Sequence, residues 1–158
     1  MNKKQAMPWD NPRFKNWVAV ARACQVMGQT LTRALQGLDL KPPHLDILVN
    51  IYKSPAISQQ DLARKMLVGR SNLSMLLPQL EQRGLVTRRI DPQDRRILRL
   101  SLTEAGMALT EEALVIHTEV IERSMRLSSE EECNMVGEAM MRIIKELTDT
   151  GPADEAEE

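Results

Sequence analysis

Aromatic residues are nearly missing from this 158-residue chain, which has one Phe, two Trp and one Tyr. A core built without rings must be aliphatic. With ten Met, and 42% of residues hydrophobic, a helix-dominated interior is expected. Cysteine is equally scarce. Cys24 and Cys133 lie far apart with no CxxC spacing, which argues against a zinc or dithiol motif and predicts two buried thiols packed as small hydrophobes. His44 and His117 stand 73 positions apart and read as helix-face residues, not as ligands or bases. A Gly-rich phosphate loop is also missing. No enzymatic constellation is present, and neither a metal nor another cofactor is expected. No run approaches the roughly 18 apolar residues that span a bilayer, and the start MNKKQAMPWDNPRF lacks the apolar stretch of a secretory signal. The expectation is a cytoplasmic protein with no membrane partner.

The net charge of −1 conceals a marked asymmetry. Residues 1–40 hold six Lys/Arg against two acids, residues 41–103 eleven against five, and residues 104–158 four against fifteen. The middle segment has the local basic excess of a polyanion-binding surface, while the acidic third cannot face the same phosphates.

Hydrophobic periodicity divides the chain in the same places. Residues 1–12 read as a loosely ordered arm. A first helix over about 13–37 carries Phe14, Trp17, Val18, Ala21, Cys24, Leu31 and Leu35 at helical spacing, with Gly37 as its C-cap. Lys41-Pro42-Pro43 starts a second helix that ends at Ser54-Pro55. Ser58 and Asp61 form a variant capping box for a short helix with Leu62, Ala63 and Met66. About four residues later a helix over 70–83 places Leu73, Leu76, Leu77 and Leu80 on one stripe. Its interior Pro78 implies a bend. Helices over about 103–125 and 129–147 follow, the first with Met107, Leu114, Ile121 and Met125 on its apolar side. The expected organisation is an arm and dimerisation helix (1–40), a DNA-binding lobe (41–103), C-terminal dimerisation helices (104–150) and an acidic disordered tail (151–158).

Between the 70–83 helix and the next lies the segment Gly84 to Gly106. Leu98, Leu100 and Leu102 alternate with Ile97, Arg99 and Ser101, as in a strand with one buried face. The turn Asp91-Pro92-Gln93-Asp94-Arg95-Arg96 brings two guanidinium groups to or near the tip of a hairpin. Two short helices, the second followed by a hairpin, make a winged helix-turn-helix. The fold class is therefore mainly α with a small β-hairpin wing, flanked by N- and C-terminal helices. The outer face of the 70–83 helix, with Arg70, Ser71, Asn72, Ser74, Met75 and Gln79, suits base edges and phosphates in a major groove. Arg95 and Arg96 suit a backbone or a narrow minor groove, with Asp94 or Asp91 holding one of them and fixing the turn. The long flanking helices are too apolar to be covered within one copy, so a two-fold pair on a near-palindromic duplex is expected.

These residues carry a resemblance. DLA at 61–63, LEQRGLV at 80–86, DPQDRR at 91–96 and LSLTEAG at 100–106 resemble the MarR (multiple antibiotic resistance regulator) family, most specifically in the spacing of Asp94, Arg96, Leu102 and Thr103. The resemblance covers about residues 13–148. It implies homodimeric winged-helix transcription factors, usually repressors, that release double-stranded DNA when a small effector, often a phenol or aromatic acid, binds between the dimerisation helices and the DNA-binding lobe. It also implies that Ser58, Gln59 and Gln60 approach phosphates. Some members respond to oxidants through cysteine. The peroxide-sensing branch has its thiol near the start of the first helix with tyrosine partners. Here Trp17 stands near that place, Cys24 lies two turns later and Tyr52 is the only tyrosine, a departure from that branch. Two alternatives to the effector-responsive repressor stay open: a thiol-based redox regulator on the same scaffold, and a winged-helix protein-interaction module that binds no DNA.

Overall fold

The computed structural model describes residues 7–66 and 70–149, with the backbone alone at 70–72 and 149. The tail at 151–158 and the 67–69 connection between the two short helices lie outside the described residues. The elements run α1 (Phe14–Ala34), α2 (Pro42–Lys53), β1 (Ile57–Ser58), α3 (Gln59–Lys65), α4 (Arg70–Gln82), β2 (Val86–Ile90), β3 (Leu98–Leu102), α5 (Glu104–Met125) and α6 (Glu130–Asp149). Single 3-10 turns at Pro8–Asp10 and Leu35–Leu38 complete them. Two compact units, residues 1–120 and 121–158, divide inside α5. The described part of the N-terminal arm is the 3-10 turn, in which the Met7 N–H donates to the Asp10 carboxylate at 3.0 Å.

The core belongs to the first unit and is aliphatic throughout. Ile47, Leu48 and Ile51 of α2, Leu62 of α3, Leu77 and Leu80 of α4 and Leu100 of β3 are almost completely buried in it. The leucine stripe of α4 turns inward at Leu73, Leu77 and Leu80, with Leu76 half-buried at its edge. Pro78 falls on the exposed side, and the helix continues through it to Gln82.

Three features differ from the sequence expectation. The wing is a three-stranded antiparallel sheet of order β1-β3-β2 and not a lone hairpin. Its extra strand has two residues, with Ile57 opposite Leu100 and Ser58 opposite Arg99, and two residues are too few to show a period. The left-handed residue after the first helix is Asp39 at φ 51°, while Gly37 belongs to the 3-10 turn. Asp tolerates that conformation better than most residues with a Cβ. Cys24 is exposed and Cys133 half-buried, against the expectation of two buried thiols.

Helix α5 meets the lobe through fully buried small side chains, with Leu109 and Ile116 half-buried beside them. Gly106, Thr110 and Ala113, spaced at four and three residues, are buried, whereas Met107, Ile121 and Met125 are exposed. Small residues permit close approach. The Thr103 N–H donates to the Leu85 carbonyl at 3.0 Å, and its hydroxyl donates to the Gly84 carbonyl at 2.6 Å. The same hydroxyl accepts the Gly106 N–H at 2.9 Å, capping the helix. Gly106 thereby lies so near the Leu85 carbonyl that a Cβ would overlap it.

Helix α2 has a histidine in its first turn. His44 is buried at 6% exposure. Its Nδ1 accepts the Lys41 N–H at 3.3 Å, so Nε2 carries the hydrogen and donates to the Gln79 amide oxygen of α4 at 3.2 Å. Burial, reinforced by the nearby Arg83 and Lys41 charges and opposed by the Gln79 bond and Asp39, holds its pKa below the usual value.

Two measurements follow from this packing. Gly106→Ala forces α5 away from Leu85 and is expected to cost about 1–3 kcal/mol in urea unfolding. Because the folded chain disfavours protonated His44 while the unfolded chain accepts it, stability is complete above a pH of about 6.5 and declines as pH falls below it. Thermal unfolding from pH 7.5 to 5 should show this decline in the native chain, and a clearly flatter profile in His44→Gln.

Candidate nucleic-acid interface

The N-cap of α3, the exposed side of α4 and the descending arm of the wing enclose a cleft of about 460 Å³. Gln59, Gln60 and Arg64 line it from α3, Ser74 from α4 and Arg96 from the wing, over a floor that includes Ala63 and Leu73. Three segments singled out separately in the sequence thus converge here. β1 accounts for part of this, because pairing with β3 ties the residue that caps α3 to the wing.

Ser58 is at the base of the cleft and is mostly occupied by its own helix. Its hydroxyl accepts the Asp61 N–H at 3.0 Å and donates to the Asp61 carboxylate at 2.6 Å. Only half of the expected capping box forms: the Asp61 carboxylate is taken by the Ser58 hydroxyl and by Arg64, and Ser58 is paired with Arg99 of β3. Asp61 also holds Arg64 at 3.0 Å. On α4, Ser74, Met75 and Gln79 are exposed, Met75 at 63%. Gln79 has its amide oxygen engaged by His44 and is tied to α2 at the rear of the helix-turn-helix. Arg70, Ser71 and Asn72 occupy the first turn of α4, and their side chains lie outside the described residues.

The wing loop is organised by two aspartates with separate tasks. Asp91 accepts the Gln93 and Asp94 N–H groups at 2.8 and 3.0 Å, closing the turn, and takes Arg99 Nε at 2.7 Å. The Arg99 bond and then the two backbone donors hold its carboxyl below the usual range. Asp94 grips Arg96 by both oxygens, to Nε at 3.0 Å and Nη2 at 2.9 Å, and also accepts the Arg96 N–H at 3.0 Å. That pairing lowers the Asp94 pKa and raises that of Arg96. The fork engages one edge of the guanidinium, and the Arg96 side chain remains 89% exposed.

The acids of the lobe mostly act as arginine holders. Asp61 holds Arg64, Glu81 holds Arg88, Asp91 holds Arg99 and Asp94 holds Arg96. Arg89 and Arg95 have no polar partner among the described residues, and their charge is presented to solvent. Arg64 and Arg99 had not been singled out from sequence. Arg64 follows Gln60 by four residues, on the same face of α3, a spacing that would have placed it beside the cleft. Arg99 alternates with Leu98 and Leu100 and bonds the Ala56 carbonyl at 3.3 Å, joining wing to β1. No group of three or more potential metal ligands occurs among the described residues. No helix among them is long and apolar enough to cross a membrane.

The family model described as "MarR family" matches residues 40–98, which hold the two helix-turn-helix helices, β2 and the wing loop and end at the first residue of β3. The HTH-type transcriptional regulator MhqR of Bacillus subtilis is 25% identical over 130 residues, covering 82% of this chain and 90% of MhqR. Among solved structures, AbsC, a MarR family transcriptional regulator from Streptomyces coelicolor, superimposes with a TM-score of 0.83 at 23% identity, covering 93% of this chain and 100% of AbsC. The S. aureus MepR-DNA complex gives a TM-score of 0.76 at 24% identity, over 82% of this chain and 96% of that one. At these identities the two structures speak for the fold. The winged helix-turn-helix and the family model that falls on it agree: residues 40–98 match the MarR family, and the chain is similar over most of its length to an HTH-type transcriptional regulator.

Proposed function

We propose that the chain is a homodimeric repressor that binds a near-palindromic double-stranded DNA operator and releases it when a small effector binds. The observation that carries this reading is the cleft in which Gln60, Arg64, Ser74 and Arg96 converge from three elements, with Arg96 held in place by Asp94. In the proposed complex the exposed side of α4, with Ser74 and Met75 and the first-turn residues Arg70, Ser71 and Asn72, enters the major groove. Arg96 and Arg95 reach the adjoining backbone or minor groove. Phosphates are met by cations in excess of the lobe's acids, so affinity is expected to fall steeply with salt.

The dimer is proposed from the apolar surface on both units. Trp17 and Val115 of the first are 68% and 62% exposed, and Met141 and Leu147 of the second 64% and 68%. An apolar surface of this extent fits a helix-mediated pairing between copies. The effector site is proposed at an apolar cavity of about 340 Å³ lined by Leu31 of α1, Pro42, Pro43, Leu45, Asp46 and Val49 of α2, and His117 of α5. That volume lies in the range of small-ligand sites, and its lining suits a mostly apolar molecule such as an aromatic acid.

Titrating the full-length protein onto its own upstream region at several salt concentrations tests the DNA reading. Sequence-selective binding with a steep negative salt slope is expected, and binding indifferent to sequence or salt would exclude it. Arg95→Ala should weaken binding to all sequences and reduce the slope by about 1. For the dimer, Met141→Glu combined with Ile144→Glu should yield monomers in sedimentation and lower operator affinity by more than about tenfold, because each half-site then binds alone.

A further inference from the structure

The corner between α1 and α2, residues 38–44, is held to the recognition helix at both of its ends. At the first, Arg83, the residue after α4, donates from Nη1 to the Asp39 carbonyl at 2.7 Å and from Nη2 to the Leu38 carbonyl at 3.2 Å. At the second, His44 donates to Gln79 at 3.2 Å. Gln79 and Arg83 are four residues apart and so share one side of the helix. Between the two anchors lie Pro42 and Pro43, and these line the apolar cavity proposed above for the effector.

We propose that His44 and Arg83 are positioning residues that lock α4 to the 38–44 corner, so that whatever displaces the cavity wall displaces the DNA-reading helix. This rests on the regulatory reading above. The corner is a stiff connector. Asp39 is left-handed at φ 51°, Leu40 is buried at 3% exposure and two consecutive prolines have fixed φ. The leucine contacts between α4 and the core are non-directional and permit sliding of the helix. The three hydrogen bonds at the anchors, in contrast, define one register along its axis. Loss of either anchor should therefore leave a folded lobe whose recognition helix no longer follows the cavity.

The test uses full-length protein and needs no effector. Val49→Phe puts a ring into the cavity as a permanent occupant. In the native background it should lower amide-exchange protection across residues 73–82, and operator affinity, each by about tenfold, within the span of ordinary allosteric coupling. In Arg83→Met or His44→Leu backgrounds both effects should shrink below about twofold, the non-additivity expected of coupled sites. His44→Gln keeps an acceptor for Lys41 and a donor for Gln79 and should restore them. If His44→Leu does not fold by circular dichroism, Arg83→Met decides alone. Effects of the same size in every background would overturn the clamp, as would a Val49→Phe chain with unchanged exchange in α4. The exchange measurement is independent of DNA, so absent operator binding would fail the regulator reading and leave this judgement standing.

Discussion

The lobe depends on pairing to both sides of β3. This five-residue strand, with Leu100 completely buried at its middle, is bonded to β1 on one edge and to β2 on the other. β1 leads into α3, β2 follows α4, and β3 itself runs into α5. One strand thereby fixes the start of the first helix of the helix-turn-helix, the exit of the second and the root of the helix that leaves the lobe. Antiparallel pairing aligns two chains to a single residue, because a one-residue slip would turn Leu100 out of the core. The small size of the sheet is compatible with its role, since the helices around it bury what three short strands could not.

Much of this was legible in the sequence. The leucine stripe of α4, the alternation in β3 and the Pro-Asp turn each follow a period or a turn chemistry that needs no tertiary information. What escaped has a common cause. β1 is two residues long, the buried side of α5 is Gly, Thr and Ala, and Asp39 does the work expected of Gly37. Hydrophobic periodicity registers large apolar side chains and is silent about small ones. Gly106 is important because it has no side chain, and that importance appears only when Leu85 is seen against it. The same limit hid Gln79. On a helical wheel it belongs with the polar face, and only the position of His44, 35 residues earlier, shows that its amide turns back to α2.

Charge in the lobe is arranged more economically than its net excess suggests. Carboxylates within sequence reach of arginines could have cancelled the basic surface. They lie instead beside single guanidinium groups, in pairs of which each has at least one partner a third or more exposed, and which are therefore modest as stabilisers. Their effect is geometric: Asp91 closes the loop and roots the wing through Arg99, while Asp61 and Asp94 set the directions of Arg64 and Arg96 on facing sides of the cleft.

That arrangement separates the two neighbouring wing arginines thermodynamically. An arginine side chain carries about 2 kcal/mol of rotamer entropy, and a contact that immobilises it must offset that loss. Arg96 has surrendered much of its freedom to the Asp94 fork before any nucleic acid arrives. Arg95, with no partner among the described residues, retains its freedom. On the proposed interface, Arg96 would therefore be selective for a phosphate or groove in one direction, and Arg95 would accommodate whatever geometry is left. A wing tip built this way has one rigid reading point and one adaptable one, a division that neighbouring residues of identical chemistry could not otherwise achieve.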